Sequence, residues 1–182
     1  MRPVLPGADE AAADHVSGPF GGERWALTTA RGASIALAPI ETQAAGPLAE
    51  AVTAIDPWKR MSFRPEAMAT YLAAREPGAC RRAILHKGRA IGAVSVRHPW
   101  LRGPYLEMLA LLPGSQGLGI GASVLDWMGA EVAGRANSLW VCTSTFNTRA
   151  LVFYERHGFV RVGDLDGLVG PDFTEILLRK RL

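Results

Sequence analysis

The chain has 182 residues, of which 48% are hydrophobic and 20% charged, as in one globular domain large enough to bury a sizeable core. A formal net charge of +3 with scattered Lys and Arg residues argues against a nucleic-acid partner, and no run of about 20 apolar residues is available to span a membrane. Two cysteines make no disulfide framework, and no histidine has partners at metal-ligand spacing, so we expect no metal site.

The N-terminal part, residues 1–32, is predicted to be a tail with one possible extra strand. Residues 1–22 are rich in Pro, Gly, Ala and acids without periodicity, which favours a disordered or loosely docked segment. Acidic residues stand where a secretion signal would need its apolar stretch, so we expect a cytoplasmic protein. Residues 25–29 and 33–38 could pair as a hairpin, and the main domain is predicted over 33–182.

Two helices and three strands are predicted next. Apolar residues at helical spacing indicate a helix over 46–55, stopped by Pro57, and a second over 65–74 that begins at Pro65. Strands over 82–86, 90–97 and 105–112 read as an antiparallel meander.

A glycine loop follows the third of these strands and opens a helix whose apolar face runs from Leu118 to Val132. Such a junction suits a phosphate group, because the first turn of a helix leaves N–H groups unpaired and glycines let an anion approach them. Gly117, Gly119 and Ala122 also fit the Gly-x-Gly-x-x-Gly/Ala pattern of a dinucleotide fold. The next strand, 139–144, ends in hydroxyls instead of the acid that this alternative needs.

A second pattern follows that strand. A helix is predicted over 148–157 and closing strands over 159–162 and 173–178. Within this region Asn147 and Ala150 precede the pair Phe153-Tyr154, and Gly158-Phe159 comes next.

These two segments resemble the signatures of the GNAT acetyltransferase superfamily. The segment 116–121 is similar to its Gln/Arg-x-x-Gly-x-Gly/Ala pyrophosphate loop, and 147–159 to its Asn-x-x-Ala, aromatic pair and Gly-Phe signature. The resemblance implies an α/β fold with a mixed, mostly antiparallel sheet, in which splayed central parallel strands, 105–112 and 139–144, are flanked by helices. It also implies acetyl-CoA as acyl donor, entering between the splayed strands.

The same resemblance implies the residues that bind the coenzyme. The main chain of Leu109 and Leu111 would take up the pantetheine arm, because the splay leaves its N–H and C=O groups without strand partners. For Asn147 a helix N-cap is an equally good interpretation. The full predicted set is Leu109, Ala110, Leu111, Gln116, Gly117, Leu118, Gly119, Ile120, Gly121, Ala122, Asn147, Ala150 and Tyr154.

Two catalytic residues are candidates. Tyr154 matches the family position whose phenol hydrogen-bonds the coenzyme sulfur and can donate its proton to the departing thiolate, and its alternative is a core aromatic residue. Glu107 is the only acid of the central strand, and strand alternation puts it on the same face as Leu109 and Leu111. It is the candidate general base, with an exposed or ion-paired strand glutamate as the alternative.

The expected reaction is transfer of an acetyl group from acetyl-CoA to a primary amine by direct attack on the thioester. The amine is expected to belong to a small molecule or to a peptide or protein N-terminus, with Asp56 or Asp166 meeting its charge. The alternative function is a non-catalytic acyl-CoA-binding sensor or interaction module. A homodimer is possible.

Overall fold

The structure is a computed structural model, and it describes residues 18–182. Within these residues, eight strands form a single sheet and four helices cover it. The strands are β1 (Trp25–Thr28), β2 (Ser34–Pro39), β3 (Ala79–His86), β4 (Arg89–Trp100), β5 (Gly103–Leu111), β6 (Ser138–Ser144), β7 (Val160–Asp166) and β8 (Thr174–Arg181). The helices are α1 (Thr42–Thr53), α2 (Pro65–Ala73), α3 (Ile120–Glu131) and α4 (Thr148–Arg156).

The sheet has the spatial order β1-β2-β3-β4-β5-β6-β8-β7. Its neighbouring strands are antiparallel except for the central pair β5 and β6, which is parallel. That pair is joined in register only at Tyr105–Trp140 and Leu106–Val141, after which the two strands part. The predicted mixed, mostly antiparallel sheet with splayed central strands is therefore confirmed.

Helices pack on both faces of the sheet because alternate strand residues point to opposite sides. On one face, Leu48 and Val52 of α1 and Leu72 of α2 form an apolar cluster that includes Met108 and Ala110 of β5. We call this the α2 face. The other face carries the larger cluster, in which α3 packs on the inner strands, and we call it the α3 face.

The predicted elements are present, but several boundaries differ. Helix α1 begins at Thr42 instead of the predicted residue 46, and it includes Pro47. Ala45, which belongs to the added part of the helix, is buried. Strand β7 continues to Asp166, which shortens the connection between the predicted strands 159–162 and 173–178. Its polar residues are accommodated because β7 is an edge strand with one largely exposed face.

The N-terminal hairpin forms as predicted, with Trp25 opposite Leu37. Residues 18–22 belong to the segment expected to be disordered or loosely docked, yet Phe20 is buried and its ring meets Trp127 edge-on at 5.2 Å. The Glu131 carboxylate accepts hydrogen bonds from the Phe20 N–H (2.8 Å) and from the Trp25 indole (2.6 Å). The rest of the predicted tail, 1–17, lies outside the described residues, and the domain boundary at 32 stays a prediction.

Across residues 18–182, no helix has both the length and the apolar character that crossing a bilayer needs.

Candidate active site

The glycine loop and the start of α3 border a cleft of about 1050 Å³, which we call the larger cavity. Its wall includes Ile120, Gly121 and Ala122, the first three residues of the helix. The N–H groups of a helix's first turn have no partner within the helix, and the helix dipole places partial positive charge there. No side chain caps this end, so these amides are available to an anion in the cavity.

Glycine is needed at two positions of this loop. Gly119 is the N-cap of α3 with φ at +80°, a left-handed conformation that side chains disfavour. At Gly121 an added Cβ would lie 2.8 Å from Cζ of Phe153, so the absence of a side chain lets α3 and α4 approach closely. Together these glycines hold the amides at the cavity wall.

Arginines surround the larger cavity, which the sequence pattern did not predict. Its lining includes Arg31 from the turn after β1, Arg60 from the segment between α1 and α2, and Arg149 and Arg156 from α4, against one acid, Asp56. The net charge of the chain is small, yet positive charge is concentrated around the larger cavity. Such an excess suits a ligand that carries several phosphates.

The open edge of β5 forms another part of this wall. The Leu112 N–H donates to the Ile91 C=O on the β4 side (2.9 Å). Since successive residues direct their main-chain groups to opposite edges of a strand, Leu111 and Leu109 direct theirs towards β6, which has diverged. The Gln116 amide donates to the Leu111 C=O (3.4 Å) and accepts from Arg149 (2.5 Å).

Most of the predicted coenzyme-binding residues line the larger cavity, and two do not. Ala110 is buried in the cluster of the α2 face, and Leu118 packs against the core of the α3 face, so neither side chain borders the cavity. The other predicted residues border it: Leu109, Leu111, Gln116, Gly117, Gly119, Ile120, Gly121, Ala122, Asn147, Ala150 and Tyr154. Asn147 is also the N-cap of α4, since its side chain accepts from the Ala150 N–H (3.2 Å).

Tyr154 stands where two cavities meet. It borders both the larger cavity and a second one of about 540 Å³ on the α2 face, which we call the smaller cavity. Its ring packs edge-on against Phe153 and Phe159, which fix its orientation. Burial raises the pKa of the Tyr154 phenol well above its ordinary value, so the group is a proton donor at neutral pH.

The smaller cavity has apolar walls and an acidic floor. Helix α2 and the segment after α1 supply apolar and aromatic side chains, among them Trp58, Phe63 and Met68, and the loop after β7 adds Leu168. The charged residues in its lining, within the described chain, are Glu107 and Glu175. This surface matches a cation with an apolar body.

Glu107 faces the smaller cavity but is held by three donors. The Tyr71 hydroxyl (3.0 Å), the Ser95 hydroxyl (2.7 Å) and Nε of Arg97 (2.5 Å) all bind its carboxylate. Arg97 also pairs with Glu76 at 3.1 Å, and Glu76 in turn pairs with Arg81 at 3.0 Å. The charge of Glu107 is therefore already balanced within the protein.

The predicted orientation of Glu107 is wrong because of a β-bulge. Ser95 pairs with Met108 while its neighbour Val96 pairs with Leu106, which leaves Glu107 without an opposite residue on β4. A bulge shifts the side-chain alternation. Glu107 consequently bonds Tyr71 on the α2 face, while Leu109 packs on the α3 face.

Glu175 is the site residue that the sequence analysis missed. It lies directly opposite Ser144 in the β6–β8 ladder, and the Ser144 hydroxyl donates to its carboxylate. Its neighbours Ile176 and Leu178 point to the core of the α3 face, so alternation sends Glu175 to the α2 face. The available signal was an acid directly before the apolar run 176–178.

The two aspartates expected to meet the amine lie elsewhere. Asp56 borders the larger cavity and not the smaller one. Asp166 borders neither, and its carboxylate accepts from Thr174 at 2.7 Å.

A family model described as acetyltransferase (GNAT) domain matches residues 71–161, which is half of the chain. This match spans the glycine loop, β5, β6 and Tyr154, which form part of the lining of the two cavities. The chain therefore belongs to the GNAT acetyltransferase family, and it is a GNAT-type acyl-CoA-dependent N-acetyltransferase. Comparison with curated protein sequences gave no significant match.

Solved structures show the same fold at low sequence identity. An acetyltransferase from Thermus thermophilus is 20% identical with a TM-score of 0.66, over 81% of this chain and 97% of that one. RimJ from Mycobacterium smegmatis, in complex with CoA-disulfide, is 17% identical with a TM-score of 0.66, over 90% of each chain. A GNAT family acetyltransferase from Elizabethkingia anophelis with acetyl-CoA bound is 16% identical with a TM-score of 0.56, over 73% and 89%.

Proposed function

We propose that the protein transfers an acetyl group from acetyl-CoA, bound in the larger cavity, to a primary amine bound in the smaller cavity. The observation that carries this proposal is the position of Tyr154, which borders both cavities where they meet. A thioester that reaches this point from one cavity can be attacked by an amine that reaches it from the other. Such placement of two reactants can lower the barrier by about 7 to 11 kcal/mol.

The larger cavity offers a partner for each part of the donor. The amides of Ile120, Gly121 and Ala122 suit the diphosphate, and the surrounding arginines add charge. The edge of β5 that faces β6 at Leu109 and Leu111 can bind the pantetheine arm as an added strand. These contacts would bring the thioester to Tyr154.

The reaction needs no covalent intermediate on the protein. The amine nitrogen attacks the thioester carbon, the new C–N bond forms, and the carbonyl electrons move to oxygen. When they return, the C–S bond breaks and the thiolate takes the proton of the Tyr154 phenol, which then recovers a proton from the new amide nitrogen. The raised pKa of Tyr154 keeps that proton in place until the thiolate forms.

The acceptor is proposed to be an amine with an apolar or aromatic neighbouring group. Trp58, Phe63 and Met68 offer apolar contacts, and the carboxylates on the floor favour an ammonium group. Both a small amine and the N-terminus of a peptide that begins with an apolar residue have this character.

The test is to incubate the protein with acetyl-CoA and a panel of alkylamines, arylalkylamines and short peptides, and to measure free thiol and acetylated product. In the variant Tyr154→Phe, we expect kcat to fall about 10²-fold or more, while the Kd for acetyl-CoA from calorimetry changes less than about twofold. An unchanged kcat would remove Tyr154 from the proton-donor role.

Binding of acetyl-CoA without thiol release across the whole panel would contradict the proposal and support the non-catalytic module instead. The cytoplasmic location and the homodimer stay predictions.

A further inference from the structure

The two carboxylates on the floor of the smaller cavity differ in their hydrogen-bond partners. Glu107 and Glu175 lie on β5 and β8, the two strands on either side of β6. Burial is the main cause that raises the pKa of the Tyr105 phenol, and the neighbouring Cys142 comes next. The charges of Glu175 and Glu107 raise this pKa further, so both carboxylates lie close to Tyr105. A ligand ammonium entering this cavity therefore meets both carboxylates.

The hydrogen bonds separate their roles. Glu107 is bound by three donors, one of which is the cationic Arg97. Both carboxylate oxygens of Glu107 are therefore already engaged by donors within the protein. Within the described chain, Ser144 alone donates to Glu175, and no Lys, Arg or His side chain is in the lining of this cavity.

We propose that Glu175 binds the ammonium group of the acceptor and takes the proton that the amine must lose before attack, while Glu107 is a positioning residue. This assignment rests on the proposed function. The Glu175 carboxylate removes one proton from R–NH₃⁺, leaving the neutral amine that attacks the thioester. The protonated Glu175 afterwards releases this proton to solvent, so that each turnover yields one acetylated amine, one free thiol and one proton.

Burial supports this role, since it raises the pKa of Glu175 above its ordinary value, with the Ser144 hydrogen bond acting in the opposite direction. A base with a raised pKa accepts a proton more readily near neutral pH. The other titratable groups that line the smaller cavity are Tyr71, Tyr105, Glu107, Cys142 and Tyr154. Burial raises the pKa of the three tyrosines and the cysteine, so these groups stay protonated in the neutral range.

The test compares Glu175→Gln with Glu107→Gln and with Asp126→Asn, an exposed acid of α3 that borders neither cavity. For a primary alkylamine we expect kcat/KM of Glu175→Gln to fall about 10²-fold or more and its acid limb to disappear from the pH profile. Glu107→Gln keeps the acid limb, and Asp126→Asn keeps the wild-type profile. The Kd for acetyl-CoA stays within about twofold in each variant.

An arylamine provides a second readout, because it is already neutral near pH 7 and needs no proton acceptor before attack. Glu175→Gln should therefore lose at most about tenfold on this substrate. Equal losses on the alkylamine and the arylamine would contradict the proton-acceptor role.

Ser144→Ala covers the case in which Glu175→Gln does not fold. The Ser144 hydroxyl lowers the pKa of Glu175, so its removal should move the acid limb to higher pH. An unmoved limb overturns the assignment.

The two proposals fail in different ways. Wild-type protein that acetylates no amine contradicts the proposed function. Active wild-type protein whose acid limb survives in Glu175→Gln, or disappears in Glu107→Gln, overturns the assignment of Glu175 alone.

Discussion

Single residues at this site combine structural and chemical roles, and Asn147 is an example. Its side chain caps α4 through the Ala150 N–H, and it also borders both cavities. The two interpretations that the sequence left open are therefore compatible. The proton donation proposed for Tyr154 depends on α4, which begins at this cap.

Substitution of Asn147 can distinguish its role as the N-cap of α4 from its role in the site. Asn147→Ala should lower the free energy of unfolding by about 1 kcal/mol, because the Ala150 N–H loses its partner. Asn147→Asp keeps an acceptor at this position and should retain most of the stability. Urea unfolding of both variants measures the difference, and equal stabilities would contradict a capping role.

The buried Glu175 carboxylate should also leave a signature in stability. Its raised pKa means that the native state binds the proton more tightly than the unfolded chain. The stability contribution is thus complete at low pH and is lost as pH rises through the native pKa. We expect Glu175→Gln to have a higher Tm than wild type near pH 7, with the difference disappearing near pH 4. A pH-independent difference in Tm would contradict the raised pKa.

At the scale of elements, the contact of α3 with α4 sets the shape of the larger cavity. Gly121 permits it, since a Cβ there would lie 2.8 Å from Phe153, whereas a Cβ at Gly129 of the same helix meets Leu182 at an ordinary 3.7 Å. Replacing each of these two glycines by alanine therefore compares the same substitution with and without a close contact.

Gly129→Ala should stabilise the protein by about 0.5 to 1 kcal/mol through helix propensity. Gly121→Ala should gain less, because Phe153 must shift, and it should weaken acetyl-CoA binding by moving that ring in the cavity wall. Thermal unfolding and calorimetry of the two variants check this, and identical effects at both positions would argue against the close contact.

The strands and helices were largely predictable because their signals are local. Periodic apolar residues and Pro or Gly boundaries gave each element of the sheet, and the two signature segments gave its arrangement. The length of β7 was not predictable, since its polar residues resemble a loop and are tolerated only because the strand lies at the edge. The bulge at Glu107 was equally hidden, because it depends on the register with β4.

At the scale of the whole molecule, the site depends on residues far apart in sequence. Glu107 and Glu175 meet on one face only because β5 and β8 both neighbour β6, and neither residue carries a pattern that reveals the other. The arginines of the larger cavity come from separate elements in the same way. Sequence patterns located the glycine loop and Tyr154, whereas pairings across the sheet could be read only from the fold.

The clustered arginines predict a salt-dependent affinity. Arg149 borders the larger cavity and donates to Gln116, so Arg149→Gln should weaken acetyl-CoA binding and reduce its dependence on ionic strength. Calorimetry at low and high salt measures both effects. Arg64→Gln is a suitable control, since Arg64 is exposed, pairs with Glu66 and borders neither cavity. The same salt response in wild type and Arg149→Gln would contradict the electrostatic role.

The junction at Tyr154 also governs how an inhibitor should be built. Because the two cavities have largely different linings, a molecule that fills one leaves most of the other open. A conjugate that joins coenzyme A to an arylalkylamine through a short acetyl bridge would pass beside the Tyr154 phenol and occupy both cavities at once. The covalent link would raise the effective concentration of each half at its own cavity, so the conjugate should bind more tightly than either half alone.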